Sequence, residues 1–438
     1  MSSGASPSAP PTWTGAPCAE GGGSAAAERF ETPFWGAVAG APPATNRLIV
    51  DLHELAFAAW VHVPAGGLRL AHHFPHARSV AWSLYHPVSV APLQALRDHE
   101  IVPDPGSVNP FLPGADRTAA RRAYTVTVSR RDTGEPNTLS SGGLPIALLF
   151  YRLYVPDRGT GRLGGVGVPH PVGRGDGPLS PWWRAGRAAA SAVVWRMTSV
   201  GLSPPYLALR ALHGRGATRP ADAELTWDAF FNPARTLVEP HLRGTRFAGV
   251  AARLPRGRRG PAKNWATDSA LAFTDVDRRL GPSADGRNVL VIRGRMPRTP
   301  RTWNGEPVMA EDVDLRYWSL CSMTALPLGV TTASLFDEQV PLDSDRRYTI
   351  AVSTAADRPR TATREHGVAW LRWPERGDGY GRATAGTLGL RNQDPAPRFG
   401  GAIQDVSEPG AEAATMGAYL PRGAYVSPEE FDATAGAA

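Results

Sequence analysis

Two acidic clusters hold the residues most able to do chemistry in this sequence. The first runs Asp98-His99-Glu100-Ile101-Val102-Pro103-Asp104, the second Asp337-Glu338-Gln339-Val340-Pro341-Leu342-Asp343. Paired carboxylates can act as acid and base, or as acid and nucleophile, on a glycosidic bond when they stand roughly 5–9 Å apart. Their recurrence points elsewhere. An aspartate that opens a turn and binds backbone amides has a structural reason to appear in both places. Sequence alone locates no partner base, so the structural role is the reading adopted and no catalytic residue is assigned.

The other candidates are weaker. His72, His73 and His76 form the densest histidine group. On a strand His72 and His73 face opposite ways, and Pro75 interrupts any helix, so the group is read as structural or surface histidines and no metal site is assigned. Trp82, Tyr85, Tyr317 and Trp318, with Trp370 and Trp373, offer rings for a sugar or an apolar ligand, although such residues more often fill a sandwich core. Tyr317 and Trp318 are neighbours on an alternating segment, which predicts one ring facing in and one facing out. The candidate ligand-binding set is therefore Trp82, Tyr85, Tyr317, Trp318, Asp98 and Asp337. Arg152 and Arg316 fall inside apolar segments, and a buried guanidinium needs a carboxylate. Asp98 and Asp337 are the expected partners. The chain contains no G-x-S-x-G, H-E-x-x-H or Walker motif, and no cofactor is expected.

The elements that would position these residues come in two sets. Trp82-Ser83-Leu84-Tyr85, the first acidic cluster and Tyr124-Thr125-Val126-Thr127-Val128-Ser129 are followed, in the same order, by Trp318-Ser319-Leu320-Cys321, the second cluster and Tyr348-Thr349-Ile350-Ala351-Val352-Ser353. Repetition of this kind sets the fold and has to be read before anything else. Strand patterns are clear in 68–85 (broken at Pro75), 123–129, 144–155, 288–295, 313–321, 348–353, 368–373 and 387–390. Residues 46–63 are apolar and of mixed period, and are read as strand followed by strand or short helix. The middle differs: Trp182–Leu202 follows Pro181 and reads as a helix stopped by Pro204-Pro205, with shorter helices expected at Tyr206–His213 and Ala221–Phe231.

The strand Leu315-Arg316-Tyr317-Trp318-Ser319-Leu320, the strand Ala81-Trp82-Ser83-Leu84-Tyr85 and the ending Arg152-Leu153-Tyr154-Val155-Pro156 resemble the bacterial domain-of-unknown-function 1214 family, with its W-S-L-Y strand and its R-x-Y-x-P ending. The second copy departs at its end, where Leu390-Arg391-Asn392 stands in place of R-x-Y. The resemblance implies a jelly-roll-like sandwich, present twice, and brings no catalytic residues with it. The chain also resembles conserved actinobacterial proteins.

Composition agrees with a globular, turn-rich chain: 438 residues, 42% apolar and 20% charged, with 47 Gly and 42 Pro. Of the 47 basic residues only Lys263 is a lysine, a bias that looks like a GC-rich genome. Residues 173–262 hold 14 Arg against 5 acidic residues, a net +9, which leaves −2 for the rest of a chain of +7. Such a segment, including Arg253, Arg256, Arg258 and Arg259, is read as solvated linker, and no nucleic-acid partner is expected. Cys18 and Cys321 make neither a disulfide framework nor a zinc set. No signal-peptide pattern and no apolar run of membrane-spanning length are seen, so the default compartment is the cytoplasm, or outside it if the start is misplaced.

The expected architecture is mainly β: two tandem jelly-roll-like antiparallel β-sandwich units with a mainly helical, basic connector. The boundaries are 1–45 leader, 46–172 first unit, 173–262 connector, 263–425 second unit and 426–438 flexible tail. The leader's Phe30, Phe34 and Trp35 could dock locally. The expected function is ligand binding or a structural role, with a small molecule or glycan as partner. The alternative is a carbohydrate-directed hydrolase, and whether the protein is an enzyme stays open.

Overall fold

Alternating apolar residues and frequent turn residues build short strands, and these pair into four sheets. The computed structural model describes residues 34–35, 37–39, 51–87, 92–172, 207, 225–230, 249, 269–277, 286–324, 330–377 and 385–435. All of them fall within one compact unit, Pro33–Ala438. The fold is mainly β, and no helix among the described residues is long and apolar enough to cross a membrane.

The first half contributes β1 (Ala37–Ala39), β2 (Glu54–His62), β3 (Leu68–His73), β4 (Ala77–Tyr85), β5 (Pro92–Arg97), β6 (Ala123–Ser129), β7 (Thr138–Ser140), β8 (Ile146–Pro156) and β9 (His170–Val172). They form a five-stranded sheet ordered β1-β2-β8-β4-β5 and a four-stranded sheet ordered β7-β6-β3-β9. The second half contributes β10 (Asp228–Ala229), β11 (Ser269–Asp277), β12 (Val289–Arg295), β13 (Leu315–Met323), β14 (Thr331–Phe336), β15 (Arg347–Ser353), β16 (Val368–Arg372), β17 (Ala385–Pro395) and β18 (Arg422–Val426). Their sheets are β10-β11-β17-β13-β14 and β16-β15-β12-β18. Counting nine strands on from each first-half strand reproduces both orders. Among the described residues each half has one parallel pairing, and these also match, β6 with β7 and β15 with β16.

Within each half the five-stranded sheet faces the four-stranded one. In the first, Trp82 Nε1 donates to Tyr124 Oη at 3.3 Å and the His72 ring meets Tyr151 edge-on at 5.3 Å. In the second, Leu320, Leu388 and Leu390 pack against Leu290, Ile350 and Leu371. Removing this apolar surface from water is the main stabilising contribution, roughly 1.5–3 kcal/mol for each large side chain.

Several expectations need correction. The segment 46–63 supplies one strand, β2, among its described residues. Ala221–Phe231 contains β10 and a buried Trp227 in place of a helix, so the second sheet pair starts well before residue 263. The leader ends earlier than residue 45, because Trp35 is buried and β1 joins the first sheet. Its indole donates to the Pro169 carbonyl at 2.8 Å, while that of Trp227 donates to the Pro421 carbonyl at 2.7 Å. Each tryptophan thus ties the start of its half to the residue before the last strand. The tail is not flexible throughout: after helix α1 (Glu412–Met416), helix α2 (Pro428–Ala435) inserts Phe431 among Val289, Val291, Ala351 and Val368. The expected helices at 182–202 and 206–213 and the Arg-rich run at 253–260 lie essentially outside the described residues.

Candidate functional site

All nine residues of β4 and all nine of β13 are buried. A strand with one face on its own core has its other face covered by something else, and here that cover is the other five-stranded sheet. Tyr154 and Tyr317 meet with ring centroids 5.4 Å apart, and Gln393 Nε2 donates to Ser79 Oγ at 3.3 Å. This corrects the expectation of an outward-facing ring. Trp82, Tyr85, Tyr317, Trp318, Asp98 and Asp337 are all buried, so none offers an exposed platform for a sugar.

The seam between the sheets is where the repeated charges sit. Each acidic cluster opens a 3-10 turn, Asp98–Glu100 or Asp337–Gln339, directly after an edge strand. The Asp98 carboxylate accepts from the Val80 amide at 3.3 Å, and that of Asp337 from the Trp318 amide at 3.1 Å. Glu100 accepts the Arg97 amide and Gln339 the Phe336 amide, at 2.8 and 3.2 Å. The aspartates therefore hold a neighbouring strand, whereas the residue two positions on closes the turn.

An arginine lies two residues before each bonded amide: Arg78 before Val80 and Arg316 before Trp318. The two arginines cross over. Arg78 Nη1 donates to both oxygens of Asp337 at 3.0 Å, and its other nitrogens reach Glu338 and Thr302. Arg316 Nη2 donates to Asp98 at 3.3 Å and to the Phe111 carbonyl at 3.1 Å. Each half thus places its arginine on the other half's aspartate. Arg78 and Val155 fall between the pairs Ala77–Pro156 and Ser79–Tyr154, and Arg316 and Asp394 between the pairs Leu315–Pro395 and Tyr317–Gln393. Val155 and Asp394 have left-handed backbone, φ 45° and 48°, and both precede proline. A β-branched valine there is rare, and its cost is borne by the surrounding packing.

At the centre of the seam Arg152 and Arg391 approach one carboxylate, Glu54, at 3.5 and 3.8 Å. Asp51 accepts from Tyr317 Oη at 2.7 Å and from the Ser319 hydroxyl. The expectation for Arg316 therefore holds with Asp98, while Arg152 takes Glu54 and Asp337 takes Arg78.

The two ends differ in charge. Burial raises the Asp98 carboxyl, but Arg316 and His99 outweigh it, and it stays below the usual range. Burial raises Asp337 too. There Glu338 opposes Arg78, and the carboxyl ends above its usual range. The residue after each aspartate acts in opposite directions, histidine lowering the one and glutamate raising the other. His99 Nδ1 lies 3.2 Å from Asp394 and 3.4 Å from Asp98. Asp98, His99 and Asp394 bring ligand-type atoms within 4.8 Å of one another. Both carboxylates already face guanidinium groups, Arg316 on Asp98 and Arg97 on Asp394 at 3.2 Å. The set is thus an ion cluster in which the histidine supplies positive charge. Sequence reading missed Arg78, Asp51, Glu54, Arg391, His99 and Asp394.

No protein-family model matches the chain, and no curated protein does. Among solved structures, a protein from Burkholderia cenocepacia described as uncharacterised aligns over 92% of this chain and 85% of its own, at 11% identity and a TM-score of 0.47. A protein from Vibrio parahaemolyticus aligns over 86% of this chain and 90% of its own, at 11% identity and a TM-score of 0.38.

Proposed function

We propose that the chain is two copies of one jelly-roll-like β-sandwich, packed through their five-stranded sheets, and that it is a non-catalytic binding or structural protein. The observation that carries this reading is the crossing of Arg78 onto Asp337 and of Arg316 onto Asp98. The polar residues that recur in the sequence are engaged in holding the halves together, so their recurrence needs no catalytic explanation. The matched strand orders and the two tryptophan–proline ties support the duplication. The domain-of-unknown-function 1214 resemblance fits it as well. Matching the strands by their pairing sets Arg391-Asn392-Gln393-Asp394-Pro395 against Arg152-Leu153-Tyr154-Val155-Pro156, so the arginine and the proline of that ending occur twice.

A ligand of this protein is a small molecule or glycan held away from the seam. A thermal-shift screen of the whole chain against glycans, lipids, metals and nucleotides tests the reading, because any ligand of the native state raises the unfolding midpoint. A specific shift with one class is the expected result for a binding protein. Steady turnover of an aryl glycoside, abolished by Asp98→Asn in a variant that still folds, would replace this reading with the hydrolase.

A further inference from the structure

The seam has two ends built on the same plan, and the residue after each aspartate differs between them. After Asp337 comes Glu338, which receives Arg78 and the amides of Trp303 and Asn304 at 2.9 and 3.0 Å. After Asp98 comes His99, whose ring stands between its own half's Asp98 and the other half's Asp394. We propose that the His99 end is a pH-operated latch: the protonated imidazole ties the first five-stranded sheet to the second, and its deprotonation loosens that end while the Arg78 end stays closed.

The groups facing His99 come from every element around it. Asp98 and Glu100 lie on its own turn, Arg97 at the end of β5, Asp394 on β17, and Arg316 on β13 beyond Asp98. A neutral imidazole between two carboxylates can donate one proton from Nδ1 and carries no charge to offset theirs. A charged one does both. Arg316 remains on Asp98 and Arg97 on Asp394 after deprotonation, and both pairs also join the halves, so deprotonation weakens this end by the contribution of the imidazole and does not open it. His99 adds a titratable link beside these two guanidinium links, and its side chain is 29% exposed, so protons can reach it. At the other end Arg78 plays the part of Arg316, and Glu338 stands where the first end has His99, so no imidazole takes part there and the guanidinium stays charged across the accessible range.

The electrostatics agree in sign. Asp394 first and Asp98 second hold the His99 imidazolium, against burial, and raise it from 6.5 to about 9. A group with a raised folded pKa contributes stability that is complete below the unfolded value. That stability declines above about 6.5 and is lost as pH passes about 9.

The test is thermal unfolding of the whole chain between about pH 6 and about pH 10, the span over which this linkage acts, for wild type, His99→Gln and Asp394→Asn. Wild type is expected to lose several degrees more than either variant across that span, with the curves converging at the alkaline end. Hydrogen exchange of wild type, corrected for intrinsic rates, should show residues 92–101 and 389–395 losing protection at alkaline pH while 331–340 keep theirs. Wild type alone supplies this second readout if a variant fails to fold. Parallel midpoint curves, equal loss of protection at both ends, or a midpoint raised by added zinc and insensitive to Asp394→Asn would each overturn the latch.

Discussion

Arg316 and Asp98 come from opposite halves of the chain and meet at 3.3 Å, both buried, at a point where each has other work to do. The aspartate also holds the Val80 amide, and the arginine also holds the Phe111 carbonyl. Breaking such a pair leaves a charge in low dielectric, which costs about 3–5 kcal/mol when one partner is removed. Arg316→Met is therefore expected to destabilise the protein by an amount in that range, measured by urea unfolding. Replacing both residues, Arg316→Met with Asp98→Asn, should recover part of the loss, since the orphaned charge disappears. A double-mutant cycle showing no coupling would mean that the two residues act separately.

The tryptophan ties offer a second comparison. Trp35 and Trp227 each donate an indole N–H to a proline carbonyl, at 2.8 and 2.7 Å. A net hydrogen bond is worth about 0.5–1.5 kcal/mol. Phenylalanine at either position keeps much of the packing and removes the donor. Both variants should lose a similar amount within that range, and the midpoint in denaturant is the measurement. A loss confined to Trp35→Phe would mean that the two tryptophans are not equivalent.

What is legible in the sequence is whatever repeats locally. The alternation in 123–129 and 348–353 marks β6 and β15, and the acidic clusters mark the two 3-10 turns. The seam is not legible, for two reasons. First, matching the halves through their aspartates sets Val80 against Trp318, two residues away from the Trp82–Trp318 match that the sequence invites: Asp98 binds the amide of Val80, and Asp337 that of Trp318. A slip of two preserves which face a side chain occupies, so the apolar pattern gives no warning, and Arg78 is not set against Arg316. Second, an alternating strand normally has a wet face, and nothing local in 315–323 shows that its second face meets another sheet. His99 and Asp394 are 295 positions apart, and only the packing of the halves brings them together.

Gly164 tests a turn in the first half. Its φ is +62°, and a Cβ there would lie 2.7 Å from Pro75 Cβ and 2.8 Å from the His76 carbonyl oxygen. The same glycine accepts the His76 amide at 2.9 Å. Alanine would be strained by its backbone conformation and would clash with backbone that cannot swing aside. Gly164→Ala should cost about 1–3 kcal/mol, the range for forcing extra volume into a packed site. Gly159→Ala, with φ +85° and no atom within 4 Å, should cost less. The difference in unfolding midpoint between the two isolates the steric part.

The last helix tests whether the end of the chain belongs to the fold. In α2, Phe431 is buried against Val289, Val291 and Val368 on the outer face of the second four-stranded sheet. Its neighbour Asp432 accepts the Thr361 amide at 2.9 Å and the Thr361 hydroxyl at 2.7 Å. These bonds help hold its carboxyl down at about 2 despite burial. An apolar anchor and a polar one thus act one residue apart. Phe431→Ala removes the first and should cost about 3–5 kcal/mol if the site stays open, less if β12 and β15 close over it. Asp432→Asn removes the charge from the second and keeps most of the shape. Because the folded carboxyl is depressed, its contribution is present above the unfolded pKa near 4 and fades as pH falls through about 2. Asp432→Asn should therefore be less stable than wild type at neutral pH and nearly equal to it in strong acid. Phe431→Ala should be weaker at both. Unfolding curves of the three proteins at the two pH values separate the anchors, and a Phe431→Ala variant as stable as wild type would return residues 426–438 to the flexible tail that their small, polar composition suggests.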